Sequence, residues 1–302
     1  MKGVVLALVL FCCLHVYSQD YIETDSIVDL GLSVNWAKFN VGATKQEEGG
    51  YWFAWADARG YTGNKHPFTW QKYKWVESGI TLTNGDSYAY YLTKYTIDDG
   101  AYGIWYEKKT ITTIDNDGFE KTSTEMTFIG DGINNVELED DGAYHYWHGK
   151  WRMPTKSEFQ ELIDNCTWGY FTYNGVEGCK VTSKINGKWI FLPAINPMEG
   201  TELMGSVTYG SYWTSELGGF SFYASYLEFM SEQYSPKMVE IKNYYRYIGR
   251  NIRAVQENER SHSGISTEHC DAIHSPKKLI LDNNFVVEVD NKKYDLLGRR
   301  IK

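Results

Sequence analysis

The sequence predicts an α+β fold made mostly of short antiparallel strands with few helices, followed by a small C-terminal β element. Three observations carry this expectation. Aromatic residues are abundant (Trp 11, Tyr 24, Phe 13), Gly is frequent (28) and Pro is rare (6). Such a composition makes many short strands joined by Gly-containing turns. Only one segment carries a full set of helix signals, and strand-like runs recur between clusters of Gly, Asn and Asp.

The chain opens with Lys2 and an apolar run from Val4 to Leu14 that ends at Val16-Tyr17-Ser18. This predicts a signal peptide over residues 1–18, cut before Gln19, and hence export to the cell surface, the periplasm or the medium. The run is shorter than the roughly 20 residues a membrane span needs. Lipidation at Cys12 or Cys13 would ask for a small preceding residue, and Phe11 and Cys12 stand there instead. No later segment reads as membrane-spanning.

Residues 27–34 read as strand–turn–strand, and Trp36-Ala37-Lys38-Phe39-Asn40-Val41-Gly42-Ala43 alternates bulky residues like a strand. After Gly49-Gly50 comes Tyr51-Trp52-Phe53-Ala54-Trp55, an aromatic run that predicts core. Residues 62–142 read as loop-rich, with Asn, Asp, Gly and Tyr and only short apolar runs. Within them Asp98-Asp99-Gly100-Ala101-Tyr102 is echoed by Asp140-Asp141-Gly142-Ala143-Tyr144. Paired aspartates, Asp140 and Asp141 above all, can hold Ca²⁺ through carboxylate oxygens or form ordinary Asp-Gly turns. Beyond that candidate Ca²⁺ no cofactor is expected.

Residues 155–166 predict a helix. Thr155 and Glu158 form a capping box, and Phe159, Leu162, Ile163 and Cys166 make one apolar stripe. Asn186-Gly187 then signals a hairpin between strands at 178–182 and 188–193. Further strands are expected at 212–215, 222–227 and 251–255. Residues 257–276 are polar and aperiodic, a linker, and 277–302 carry three short strand-like pieces.

Charge and cysteine content narrow the function. The formal net charge is −9, and loss of Lys2 with the leader makes it −10. A nucleic-acid binder needs basic clusters to replace phosphate counterions, so nucleic acid is not an expected partner. Of five cysteines, Cys12 and Cys13 leave with the leader, and an odd three remain: Cys166, Cys179 and Cys270. Cys166 and Cys179 either pair as a disulfide or sit as small buried apolar residues.

Several motifs then stand together: Asp29-Leu30-Gly31-Leu32-Ser33-Val34 with Trp36-Ala37; Tyr51-Trp52-Phe53-Ala54-Trp55; Trp151-Arg152-Met153-Pro154-Thr155 running to Cys166-Thr167-Trp168; Ile190-Phe191-Leu192-Pro193-Ala194; Tyr212-Trp213-Thr214-Ser215; and Gly249-Arg250-Asn251-Ile252-Arg253-Ala254-Val255. In this order the chain resembles the Fibrobacter succinogenes major paralogous domain, a family abundant in exported proteins of Bacteroidetes-type bacteria. The resemblance covers residues 25–255 and sets the expected domain at 19–256. It implies a C-type-lectin-like domain related to the formylglycine-generating, sulfatase-modifying enzymes. The tail, with Tyr294-Asp295-Leu296-Leu297-Gly298-Arg299-Arg300, resembles a C-terminal element that serves some exported proteins of the same bacteria as a sorting signal.

The enzymes of that fold hold copper between two thiols late in the domain, as soft Cu(I) requires. No such pair occurs here, so the catalytic carry-over stops and no catalytic residue is expected. His145 and His148 lack a third ligand for zinc. Trp36, Trp151, Arg152, Pro154, Trp168, Trp213 and Arg253 are expected to be structural. The arginines sit inside aromatic motifs, where a planar guanidinium can bond several backbone carbonyls at once. The expected function is non-enzymatic binding of a glycan or a surface protein, with Trp70, Trp75 and Trp105 as ligand-contacting residues. An extracellular enzyme acting on protein or sugar and a structural piece of a surface assembly are the alternatives.

Overall fold

In the computed structural model, residues 26–81, 87–99, 105–235 and 237–258 are described, together with four short strands after 276. The expected leader, most of the expected linker and Cys270 lie outside the described residues. The chain divides into two units, one ending at Asn258 and one running from Glu259 to Lys302.

The strands of the first unit are Ile27–Val28 (β1), Val34–Ala37 (β2), Val76–Thr81 (β3), Ser87–Leu92 (β4), Tyr106–Ile114 (β5), Glu120–Phe128 (β6), Cys166–Tyr173 (β7), Val176–Ser183 (β8), Trp189–Pro193 (β9), Met198–Glu199 (β10), Glu202–Leu203 (β11), Tyr209–Leu217 (β12), Tyr223–Met230 (β13), Val239–Tyr245 (β14) and Val255–Glu257 (β15). Two helices, Gly142–Trp147 (α1) and Lys156–Asn165 (α2), interrupt them. The architecture is β-rich α+β, as expected. Among the described residues its strand ladders are all antiparallel.

The two ends of the unit meet in one sheet, β1-β2-β15, where Trp36 faces Val255. Two meanders, β7-β8-β9 and β12-β13-β14, supply the larger sheets. The β8–β9 connection turns at Gly187, whose φ of +73° suits a residue without Cβ. Helix α2 begins as the sequence predicts. The Thr155 side chain accepts from the Glu158 N–H while Glu158 accepts from the Thr155 N–H. Phe159 and Leu162 are buried, and Ile163 is half-buried.

The core has two lobes. One gathers Phe53, Trp55, Tyr95, Trp213, Ile248 and Ile252. The other lies under α2 and holds Trp36, Phe159, Leu162, Cys179, Leu192 and Phe229. Arg253 is fully buried and sews elements together. It donates from Nε to Asn40 Oδ1 (2.9 Å), from Nη1 to the carbonyls of Ala37 and Lys38 (3.2 and 3.1 Å), and from Nη2 to the carbonyl of Phe191 (2.9 Å). This is the multi-carbonyl arrangement expected of it. Burial lowers its pKa to about 10, still far above neutrality.

Several expectations need correction. The stretch 62–142 is not simply loop. It contains two ribbons, β3-β4 and β5-β6, and the start of α1. The β5–β6 ribbon is exposed almost throughout, so no half-buried alternation marks it in the sequence. His145 lies in α1, and His148 caps its C-terminus with φ of 54°. The second unit is a four-stranded antiparallel sheet of Lys277–Leu281 (β16), Asn284–Val289 (β17), Lys292–Tyr294 (β18) and Arg300–Ile301 (β19). It has one strand more than the three expected pieces.

Candidate functional site: an aromatic strip around Trp70

The three tryptophans expected to touch ligand have different fates. Trp105 is 4% exposed. Its indole N–H donates to the Leu92 carbonyl and its ring packs on Phe222 at 5.3 Å. It is a core residue, and its assignment to a ligand is corrected, because neither ring face is open. Trp75 is half-buried and donates to the Ala56 carbonyl, while Lys74 and Lys94 cover its ring at 4.4 and 4.9 Å. Its faces are taken by cations of its own chain.

Trp70 opens a single 3-10 turn, Trp70–Lys72, and stays half-buried. Its ring is the hub of an aromatic strip. Tyr247 lies 4.7 Å away, Phe222 5.4 Å, Tyr245 5.8 Å and Tyr90 6.1 Å, the last stacked at 28°. The strip continues because Tyr223 and Tyr245 face each other across β13 and β14, with ring centroids 4.9 Å apart. Tyr245 stacks on Tyr247 at 5.7 Å, and Tyr223 meets Phe220, which is 51% exposed, at 6.1 Å.

Polar groups edge this strip. Tyr247 donates its hydroxyl to Glu199 Oε1 at 2.5 Å, and Gln71 Nε2 donates to the Tyr90 hydroxyl at 2.6 Å. Burial first, and then the bond to Glu199, raise the Tyr247 phenol above its ordinary pKa. It is therefore a neutral donor at physiological pH. Rings in edge-to-face and offset array bury apolar surface while leaving polar tips wet. A carboxylate and an amide at the margin suit a ligand with apolar faces and hydroxyl edges.

The sequence signal for the rest of the strip is the run Tyr244-Tyr245-Arg246-Tyr247, which composition alone did not single out. Arg246 anchors it. Fully buried, this arginine donates to the Tyr73 hydroxyl and to the carbonyls of Tyr95, Ser221 and Lys94. It thereby ties the end of β14 to the turn that carries Trp70.

No family model, curated protein or solved structure matches the chain.

The remaining candidates fall into structural places. Asp140 is buried and bonded by Lys74 (2.6 Å), Lys94 (2.7 Å) and the Tyr95 hydroxyl (2.7 Å). Asp141 is buried as the N-cap of α1, accepting from Ala143, Tyr144 and Met153 N–H groups. Their oxygens already face lysines, a phenol and amides, so the Ca²⁺ candidate is withdrawn. Among the described residues no acidic or metal-ligating cluster gathers elsewhere.

The possible disulfide is also corrected, since Cys166 and Cys179 are both free and buried. Cys166 faces Ser183 across β7 and β8, four residues beyond Cys179. At roughly 3.3 Å per residue that is about 13 Å of strand, beyond the roughly 4.4–6.8 Å between bridged Cα atoms.

Arg152 binds carboxylates more than carbonyls. It holds Glu158 with both terminal nitrogens (2.9 and 2.6 Å) and also reaches Glu257 and the Met153 carbonyl. Trp36, Trp151, Pro154 and Trp213 are buried. Trp168 is half-buried against Phe229. Among the described residues no helix is long and apolar enough to cross a membrane.

Proposed function

We propose that this chain is an exported, non-enzymatic binding protein that holds a glycan on the strip around Trp70. The observation that carries the reading is the strip itself, with half-buried Trp70, Phe222 and Tyr245 set around the buried Tyr247, an exposed Phe220 end, and a margin of Glu199 and Gln71. Sugar rings have apolar C–H faces that pack on aromatic rings and hydroxyl edges that need donors and acceptors. The ordered motifs described above support a C-type-lectin-like member of the Fibrobacter succinogenes major paralogous domain family. The apolar leader supports export. The C-terminal sheet is the proposed sorting element.

A glycan array probed with the full chain tests the ligand. Trp70→Ala should weaken the strongest hit about tenfold, the upper end of one lost aromatic contact. Trp75→Ala should weaken it much less, because Lys74 and Lys94 already cover that ring. An array without hits, or hits indifferent to Trp70→Ala, would overturn the reading. Export and sorting are tested by fractionating cells that make the intact chain or one lacking residues 277–302. Retention of both forms in the cytoplasm would count against both.

A further inference from the structure

A second surface differs in chemistry from the Trp70 strip. It is a cleft of about 400 Å³ between the β7–β8 sheet, the segment after β11 and the turn after β13. That volume lies within the roughly 300–1,000 Å³ of small-molecule sites. Strand register builds its floor. Thr172 faces Glu177 across β7 and β8, and Tyr170 lies two residues from Thr172, so Tyr170 and Glu177 emerge on the same face. Their side chains meet only loosely, with the Tyr170 hydroxyl 3.4 Å from Glu177 Oε2.

The rim is held in shape from behind. Asn196 donates to the carbonyls of Met204 (2.6 Å) and Val207 (2.8 Å) and accepts from the Tyr209 N–H (3.1 Å). A rim fixed before a ligand arrives loses less entropy on binding.

The lining is lopsided in charge. Glu177 is its one ionic side chain, and no Lys, Arg or His lines the cleft. Among the described residues Glu177 has no ion-pair partner, and the Ser206 and Thr208 hydroxyls have no hydrogen-bond partner. Tyr234, 55% exposed, and Leu203, 58% exposed, add apolar surface to the lining. Burial first and the neighbouring Glu177 charge second push the Tyr170 phenol up to about 12, so it stays neutral at physiological pH.

These features select among ligand classes. An anion would meet Glu177 and no compensating cation. A divalent metal would find one carboxylate where it needs six or more oxygens. A neutral polyol would leave the carboxylate uncompensated. A primary ammonium has three N–H donors for Glu177 and the free hydroxyls, and an aliphatic stem to lie on Leu203 and Tyr234.

We propose that this cleft binds a primary ammonium group carried on an aliphatic stem, either the lysine side chain of a partner protein or a free alkylamine. The site is independent of the glycan reading and shares no residue with the strip.

Calorimetric titration of the full chain with three probes tests it: Nα-acetyl-lysine methylamide, 1,5-diaminopentane, and N-acetyl-norleucine methylamide, which keeps the four-carbon stem and lacks the ammonium. Both amines should bind, and the norleucine analogue should bind at least about tenfold more weakly. Glu177→Gln should weaken amine binding about tenfold, and Tyr234→Ala severalfold. Trp70→Ala should leave it unchanged. Rising salt should weaken it, because the cleft is open to solvent. Both cleft residues are exposed, so the variants should unfold at the wild-type temperature. A tighter lysine analogue assigns the site to a protein partner, and a tighter diamine assigns it to a free amine. The proposal is overturned if norleucine binds as well as lysine, if Glu177→Gln has no effect, or if neither amine binds.

Discussion

Two regions of the first unit are built on opposite principles. Between Arg246 and Arg253 the chain buries three guanidinium groups completely. In the β5–β6 ribbon it pairs two strands from Tyr106↔Phe128 to Ile114↔Glu120 and leaves nearly every side chain in water. The arginine seam is specified by polar groups that must find partners once desolvated. The ribbon is specified by backbone pairing and by Thr, Ile and Lys side chains that tolerate a pleated surface. The same kind of substitution should therefore have very different consequences in the two places.

The largest effect is expected at Arg253. Arg253→Met keeps much of the apolar stem but leaves Asn40 Oδ1 and the carbonyls of Ala37, Lys38 and Phe191 without their donor. Each orphaned buried acceptor costs about 1–3 kcal/mol, so urea unfolding should show a loss above about 4 kcal/mol. Arg253→Lys should recover little, since one ammonium cannot span three directions. Arg250 supplies the internal control. It is just as buried, but it stacks 3.5 Å from the Tyr226 ring centroid, bonds the Ser211 and Tyr226 hydroxyls rather than backbone carbonyls, and keeps its Nε without a partner among the described residues. Arg250→Met orphans fewer acceptors and should lose about 1–2 kcal/mol. Equal losses at the two sites would break the account of the seam.

A middle-sized effect is expected from pH. Burial pushes the Asp141 carboxyl from the ordinary 3.8 up to about 6, against the downward pull of the Met153, Tyr144 and Ala143 N–H groups and the charge of Arg152. The folded chain then holds this proton more tightly than the unfolded chain does. The stabilisation is fully present below about pH 4 and is lost as pH rises through about 6. At 1.36 kcal/mol per pK unit the swing is about 1–3 kcal/mol. Asp141→Asn keeps a cap for α1 and cannot titrate, so its unfolding free energy should lack that fall between pH 4 and 7. Parallel curves for the two proteins would show that Asp141 is paired more fully than its surroundings indicate.

The same contrast explains what the sequence made legible. Helix α2 was readable because its capping box and apolar stripe are local, and the β8–β9 hairpin because Asn186-Gly187 names its own turn. The paired ends of the unit were not, since β2 meets β15 across more than two hundred residues. The β5–β6 ribbon is hidden from such a reading because it buries almost no face, and without a hidden face there is no alternation to see. Trp70, Trp75 and Trp105 look alike in a sequence. Their separation into hub, cation-covered ring and core residue is set by Tyr247, by Lys94 together with the adjacent Lys74, and by Phe222, and only Lys74 is a sequence neighbour. Likewise, the Asp140 carboxylate reads as a metal ligand until Lys74, Lys94 and Tyr95 close on it.

The smallest effect should come from the middle of the ribbon, where Thr112 faces Thr122. Thr112→Ala removes an exposed side chain that seals no core, and the strand ladder is made by the backbone. The change should stay within about 0.5 kcal/mol, and the melting temperature should move by no more than about 2 °C. Calorimetry can resolve such a difference from the several-degree drop expected of Arg253→Met. A shift at Thr112 comparable to that of Arg250→Met would mean that the ribbon packs on a surface in solution. Its tip, where Ile114 and Phe119 are 71% and 70% exposed, would then be the first place to look for that surface. No shift would leave the ribbon as an element stabilised by its own ladder and its roots at Tyr106 and Phe128, whose rings meet at 5.6 Å.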